Sequence, residues 1–499
     1  MKNIICFLLL VTSMTFAQNT TKLKVLESPE FKDKVKSGDV LSMHTSPLGL
    51  TGVVRYSKIH LLFDVFNESL DRIKNSLIET NLDEDFCGEL IFKNTIKVFT
   101  VLSPSKKERV IYCHEFNIND GSHKRTKLFK TDVEKNQRLF SGSNKRETGF
   151  AMSPNGSYFV VSTDDIKKHS NSYTVRVYNS ETLNLVFKQT FQENTEKFYE
   201  ANDLSIDDDA NVYALGKVFL EGRSEKKGGK ANYDFVLNKI TELGNQVINI
   251  EFSKEEHISS LIISNVKNKI RLIGFYSDKR AGRIKGSLIF DVATDSMTIT
   301  KQNAFKLPET VYKDLYTENK AKKKKDVAEE LSNYYVDYVL EDDKGNTYLL
   351  AEEFFVTQVY VYNGMGGGSY TQSVPHYNNV LVKKINAEGQ LEWGRSIFKR
   401  SLVPSYSAFL KEGQLHVILN SGKNLNEKED GRVKVSKGFL ESTALYDIVF
   451  NEGGDVSYDK IQDNKGNTFY TPFYGVYDDE RFITISKVGG GKKQFLILE

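Results

Sequence analysis

The sequence predicts an all-β chain whose short four-stranded sheets repeat around a closed ring. Three observations carry that expectation. The first is a recurring strand–turn–strand unit. Residues Phe235-Val236-Leu237-Asn238-Lys239-Ile240 run through Glu242-Leu243-Gly244-Asn245 into Val247-Ile248-Asn249-Ile250, and the pattern returns at 380–393 and 445–458. A fixed repeat decides architecture before any single residue does. The second is composition: 25 Tyr and 32 Phe against only 8 Pro suit pleated strands, where ring and β-branched side chains pack well. The third is an offset between two kinds of hairpin, which implies that the ends of the chain share one sheet.

The first kind of hairpin turns near Asn94, Asn155-Gly156, Asp208-Asp209, Asn268, Lys344-Gly345-Asn346, Glu412-Gly413 and Asp478-Asp479. The second turns near Glu68-Ser69, Asn119-Asp120-Gly121, Ser180-Glu181, Leu243-Gly244, Thr294-Asp295, Glu388-Gly389 and Gly453-Gly454. Gly and Asn accept positive φ there, and Asp bonds its own backbone. The chain opens on a second-kind hairpin and closes on a first-kind one at 473–485. Complementary half-units at the two ends have a purpose only if they meet and close a circle. That is the β-propeller solution to exposed sheet edges. Seven blades are expected in a single propeller domain over residues 18–499. The count becomes eight if 50–78 supplies three strands and 493–498 another.

Two insertions interrupt the rhythm. Residues 308–333 are rich in Glu, Lys and Ala, with Val311, Leu315, Val327 and Leu331 at helical intervals, so one or two short helices are expected between blades. Asn363-Gly364-Met365-Gly366-Gly367-Gly368-Ser369 lengthens a hairpin whose flanks are 354–362 and 376–385, and its composition predicts a flexible tip.

The first 17 residues read as a secretory signal: Lys2, an apolar run over 4–11, and Thr15-Phe16-Ala17 before cleavage. An exported protein is therefore expected, periplasmic, cell-surface or secreted. No later stretch reaches the roughly 18 apolar residues of a membrane-spanning helix. The mature chain keeps Cys87 and Cys113. They fall on the first and third strands of one sheet, about 9.6 Å apart, beyond the reach of about 7 Å that a disulfide allows. Two free thiols are expected.

The charge balance, 68 Lys and Arg against 66 Asp and Glu, gives +2 and no basic field for nucleic acid. The zinc and serine hydrolase patterns His-Glu-x-x-His and Gly-x-Ser-x-Gly are absent. The histidines, among them His44, His114, His257, His376 and His416, are scattered singly. Gly366-Gly367-Gly368 and Gly489-Gly490-Gly491-Lys492-Lys493 lack the Ser/Thr and helix of a phosphate cradle and read as hairpin turns. Acidic turns at Asp207-Asp208-Asp209 and Asp342-Asp343 lack an ordered calcium-loop series. No cofactor or metal is predicted, and a structural calcium is the one ion such turns would take. The run Lys322-Lys323-Lys324-Lys325 has Glu318, Asp326, Glu329 and Glu330 beside it and reads as a solvated helix face. Trp393, the sole tryptophan, is expected to wedge against a neighbouring blade.

The best binding candidates are Tyr360, Tyr362, Tyr370, His376 and Tyr377, which border the glycine tip and can stack on sugars or grip peptide side chains. The segments 152–161 and 174–179, and 385–397 with Gly389-Gln390-Leu391-Glu392-Trp393, resemble blades of uncharacterised exported β-propeller proteins of Bacteroidota type. That resemblance implies fold and export, and brings no catalytic residue with it. The reading is a non-catalytic binding or scaffold module for a protein or polysaccharide of the cell envelope. The alternatives are a glycan hydrolase or lyase with carboxylates at the propeller mouth, and a structural component of an envelope assembly that docks through the helical insert.

Overall fold

The computed structural model describes residues 22–33, 35, 40–57, 59–82, 84–105, 108–132, 148–164, 172–192, 197–222, 224–253, 256–266, 269–278, 283–327, 329–361, 370–436, 441–478, 480–486 and 492–499. The expected signal segment and the turn residues Asn268 and Asp479 lie outside them.

Eight blades surround one axis, each of four antiparallel strands lettered a to d from the inside outwards. Blades 1 to 7 occupy 40–79, 84–132, 149–192, 199–250, 257–306, 334–399 and 406–463. Blade 8 takes strands a to c from Val476–Asp478, Arg481–Ile485 and Phe495–Leu498, and its outermost strand from Val25–Glu27 at the other end of the chain. The termini do close the ring in one sheet, through Val25 opposite Leu498 and Glu27 opposite Leu496. The count is eight, the alternative given beside the seven first expected. The overlooked strand is Val40–Thr45, the innermost of blade 1.

Each pair of consecutive blades encloses its own apolar cluster, so eight separate cores run round the ring. Middle strands are consequently buried on both faces: Lys269–Ser277 is buried at every position after Lys269. The outer strand Thr298–Lys306 instead alternates between exposed and half-buried residues, as a one-sided strand must. Trp393 wedges between blades 6 and 7 as expected. Its ring stacks on Phe450 at 5.9 Å, meets Tyr348 edge-on at 6.1 Å, and its Nε1–H donates to the Glu452 carbonyl at 3.0 Å.

One turn recurs. A residue of the Asp, Asn or Ser type opens it, and a positive-φ residue follows three positions later. Its N–H bonds back to the opener's carbonyl, for example Gly345 to Asp342 (2.9 Å), Gly389 to Asn386 (2.8 Å) and Gly454 to Asn451 (3.0 Å). The Asp207 carboxylate accepts the N–H groups of Asp209 and Asn211, and that of Asp342 accepts those of Lys344 and Asn346. These acidic side chains cap their own turns.

Cys87 and Cys113 lie on strands a and c of blade 2, and both are free. Helices α1 (Glu309–Leu315) and α2 (Glu318–Asp326) occupy the expected insertion. Helix α1 is no loose arm. It buries Val311 and Tyr312 in the core between blades 5 and 6, Leu315 is buried as well, and Asp314 accepts two hydrogen bonds from Arg395, both at 2.9 Å. Of the two later apolar positions, Leu331 is buried in a short strand opposite Ile284, while Val327 is exposed at the end of α2. In the lysine run, Lys325 reaches Glu309 at 2.8 Å and Lys324 reaches Glu329.

Candidate functional site

Antiparallel succession sends the a–b and c–d connections to one end of the ring and the b–c and d–a connections to the other. The first end carries the short Asn/Asp/Gly turns. The second carries the long segments: 220–232, 307–333, 354–377, 423–442 and 464–475. Long connections held on a rigid frame are where binding surfaces are built.

The most prominent feature of that end belongs to blade 6. Strands b (Thr347–Val361) and c (Tyr370–Ile385) stay paired from Thr347 opposite Ile385 out to Val361 opposite Tyr370. Strand a stops at Tyr334 opposite Glu353, and the register of d against c ends at Val380 opposite Ile397. Residues 354–361 and 370–377 therefore form a two-stranded arm that leaves the blade.

The base of the arm is aromatic. Phe354 packs on Tyr377 at 4.9 Å and on Tyr335 at 6.3 Å, while His376 stacks on Phe355 at 4.7 Å and meets the Thr357 hydroxyl at 2.8 Å. Tyr377 N–H donates to the Ser401 carbonyl at 2.9 Å, tying the connector 400–405 to the arm. On this base Tyr335 (56% exposed), Val356 (49%), Leu402 (57%) and Val403 (62%) present apolar surface to solvent.

Beneath it a buried polar cluster fixes the connector. Lys399 Nζ donates to Glu352 at 2.5 Å, to the Tyr377 carbonyl at 2.8 Å and to Ser405 Oγ at 2.9 Å. Tyr406 O–H donates to Asp337 at 2.6 Å. Burial lowers the Lys399 pKa against the pull of Glu352, and raises the carboxyls of Glu352 and Asp337. Arg400 and Glu353 both engage Asn379, at 2.9 and 2.7 Å. The patch therefore sits on a braced platform.

Of the five sequence candidates, the structure brings His376 and Tyr377 into the arm base. They lie on opposite faces of the ribbon, so they do not form one surface. Tyr360 and Tyr370 lie on the arm's strands, but their side chains, like all of Tyr362 and the glycine tip, lie outside the described residues. Sequence reading missed Tyr335, Val356, Leu402 and Val403. The signal available was the apolar pair Leu402-Val403 between Ser401 and Pro404, in a connector that needs no apolar residue.

A second cluster lies on the innermost strands of blades 1, 2 and 8. His44 Nδ1 meets Asp478 Oδ2 at 3.2 Å. Burial, and then the Asp478 charge, pushes the Glu89 carboxyl up to about 8, and Glu89 Oε2 has no hydrogen-bond partner among the described residues. A buried carboxyl raised in this way is a candidate proton donor. The other singly placed histidines are structural. His114 bridges Glu84 (3.2 Å) and His123 (3.1 Å) inside blade 2, His416 bonds Asp447 at 2.8 Å inside blade 7, and His257 packs edge-on against Tyr233 at 5.0 Å. Among the described residues no group of three or more His, Cys, Asp and Glu is placed to hold a metal ion.

No family model matches the chain, and no curated protein matches it. Solved structures do. The Dos1 propeller aligns over 95% of this chain and 94% of its own at 8% identity, with a TM-score of 0.42. Prolyl oligopeptidase B from Galerina marginata aligns over 93% of this chain at 9% identity and a TM-score of 0.40, and the chain spans 55% of its length. The polysaccharide lyase Uly1 aligns over 82% of this chain and 89% of its own at 9% identity, with a TM-score of 0.39. At these identities the likeness concerns fold alone.

Proposed function

We propose that this propeller is an exported, non-catalytic binding module that holds a partner protein at the cell envelope through the long-connector end of its ring. The observation that carries the proposal is the exposure of four apolar side chains, Tyr335, Val356, Leu402 and Val403, around the braced base of the blade 6 arm. Apolar groups rimmed by polar ones mark interaction sites when they cluster. Three of the four, Val356, Leu402 and Val403, are aliphatic, which favours protein contact over a polysaccharide, since a sugar site needs aligned hydrogen-bonding groups beside its aromatic platforms. The test is retention of the purified chain by an immobilised envelope extract. Replacing Tyr335, Leu402 and Val403 together by Ser is expected to abolish retention while circular dichroism stays unchanged. Undiminished retention removes the patch from the proposal.

A second reading rests on Glu89 and Asp478. A carboxyl raised by burial and by the charge of a second carboxyl supports a glycan hydrolase or lyase in which Glu89 acts as the acid. Release of oligosaccharides from the extract, lost in Glu89→Gln, would favour it. Intact glycans after prolonged incubation would dismiss it.

A further inference from the structure

We infer that the outer edge of strand b in the blade 6 arm is a strand-addition site, and that its ligand is an extended segment of the partner protein with an apolar residue at every second position. The inference rests on the binding-module reading and deepens it.

The argument is one of hydrogen-bond direction. In an antiparallel pair, residues alternate between those bonded to each other and those whose N–H and C=O point away. Val356 lies opposite Pro375, which has no N–H, so this pair is of the second kind. Val356 and, two residues on, Gln358 and Tyr360 then turn their backbone groups outward. The same parity assigns outward groups to Phe354 and Tyr377, and both are seen to bond outward: Phe354 N–H to the Asn333 carbonyl at 2.8 Å, and Tyr377 N–H to the Ser401 carbonyl at 2.9 Å. Among the described residues, no strand lies against that edge beyond Glu353, because strand a has ended.

The two edges of the arm differ. On strand c, Pro375 removes one outward donor, and Tyr377 is already occupied by the connector. Proline is a common device for blunting an edge. Among the described residues, strand b has no such protection from Val356 outward. A row of outward donors and acceptors at every second residue fits another extended backbone, and that main-chain recognition is indifferent to side chains. Specificity would come from the face that Val356 shares with Phe354, whose ring meets Tyr335. An added strand lays every second residue on that face, and those residues should be apolar.

Val356→Pro isolates the inference. The Val356 N–H points away from strand c, so proline there spares the arm's own ladder and mirrors Pro375 across the ribbon. The probe is a short peptide alternating Val and Thr, capped by Lys for solubility. A second probe is the same peptide N-methylated at alternate residues on its pairing edge. The unmodified peptide is expected to protect the Val356 and Gln358 amides from hydrogen exchange. Its affinity should fall roughly tenfold or more in Val356→Pro and on N-methylation, the loss of one or two backbone bonds. Equal binding of the N-methylated peptide overturns the inference even where the proline variant fails to fold. Protection that appears without peptide, as protein concentration rises, overturns it in favour of a second copy of the arm. If the envelope extract retains Val356→Pro as well as the unaltered chain, strand addition is wrong while the binding-module reading stands. If the unaltered chain is not retained, the broader reading fails as well.

Discussion

Replacing Lys383 by Met should stabilise the fold near neutral pH. Lys383 lies on strand c of blade 6 with no solvent exposure, and its Nζ donates to Ser287 Oγ of blade 5 with the Phe275 ring 5.2 Å away. Burial pushes its pKa down from 10.5 to about 7. The sign follows from linkage. Between those values the unfolded chain holds a proton that the folded chain has lost, so stability rises with pH across that window and falls as pH drops toward 7. At about 1.36 kcal/mol per pH unit, the full span amounts to about 5 kcal/mol. Near pH 7 nearly all of that penalty is present. Met fills a similar volume without charge, and it leaves the Ser287 hydroxyl unpaired at a cost of about 1 kcal/mol or somewhat more. The net gain expected for Lys383→Met at pH 7 is about 3 kcal/mol. Urea unfolding followed by Trp393 fluorescence reports on the same blade. The difference between variant and unaltered chain should shrink steadily as pH rises toward 10.5. A variant less stable at pH 7, or a difference that ignores pH, would refute the reasoning.

Other expectations come from single contacts. Trp393→Ala should lower stability by about 2 to 4 kcal/mol, because it empties the wedge between blades 6 and 7; circular dichroism in urea checks it, and an unchanged midpoint would mean the wedge is idle. Gly454→Ala should lose about 1 to 3 kcal/mol, since φ is +87° and a Cβ would sit 2.8 Å from the Trp393 ring; a neutral result would show that the turn can shift. Burial would raise the Glu84 carboxyl, but hydrogen bonds from His114, Thr100 and Asn81 outweigh it and hold it down to about 2. That stability is present above about pH 4.5 and is lost as pH falls toward 2, amounting to about 3 kcal/mol. Glu84→Gln should flatten this part of the acid-unfolding curve, and an identical acid limb would count against it.

What could be read from the sequence was mostly local. Asn386-Ala387-Glu388-Gly389 and Asn451-Glu452-Gly453-Gly454 announce their turns because positive φ selects glycine and a capping carbonyl selects Asn or Asp. Eight blades stood as the alternative rather than the first count because Leu48 and Leu50 carry the apolar run through the turn that Gly49 makes at +74°, the seat that Gly156 takes at +71° in blade 3. Trp393 was legible as a wedge because a large ring on an outer strand has only the next blade to pack against. The site was much less legible. Glu89 and Asp478 stand 389 positions apart (478 − 89) in the chain and interact only once the ring is closed. The arm's free edge depends on where strand a stops, which no residue pattern states.

The closure of blade 8 has a consequence for how the molecule is made. The last lock joins residues separated by almost the whole chain, with Lys24 and Glu499, 475 positions apart, forming the final backbone pair. Such distant contacts are the slowest to form. During synthesis seven blades can assemble while the face of the first that packs on blade 8 and the outer edge of blade 8 are still uncovered. Until Val25–Glu27 docks, Phe495–Leu498 presents an apolar strand with one side unpaired. An intermediate of that kind is prone to join a neighbour's strand instead of its own. A fusion or tag that crowds residues 22–27 should therefore act on yield and self-association before it touches any binding surface.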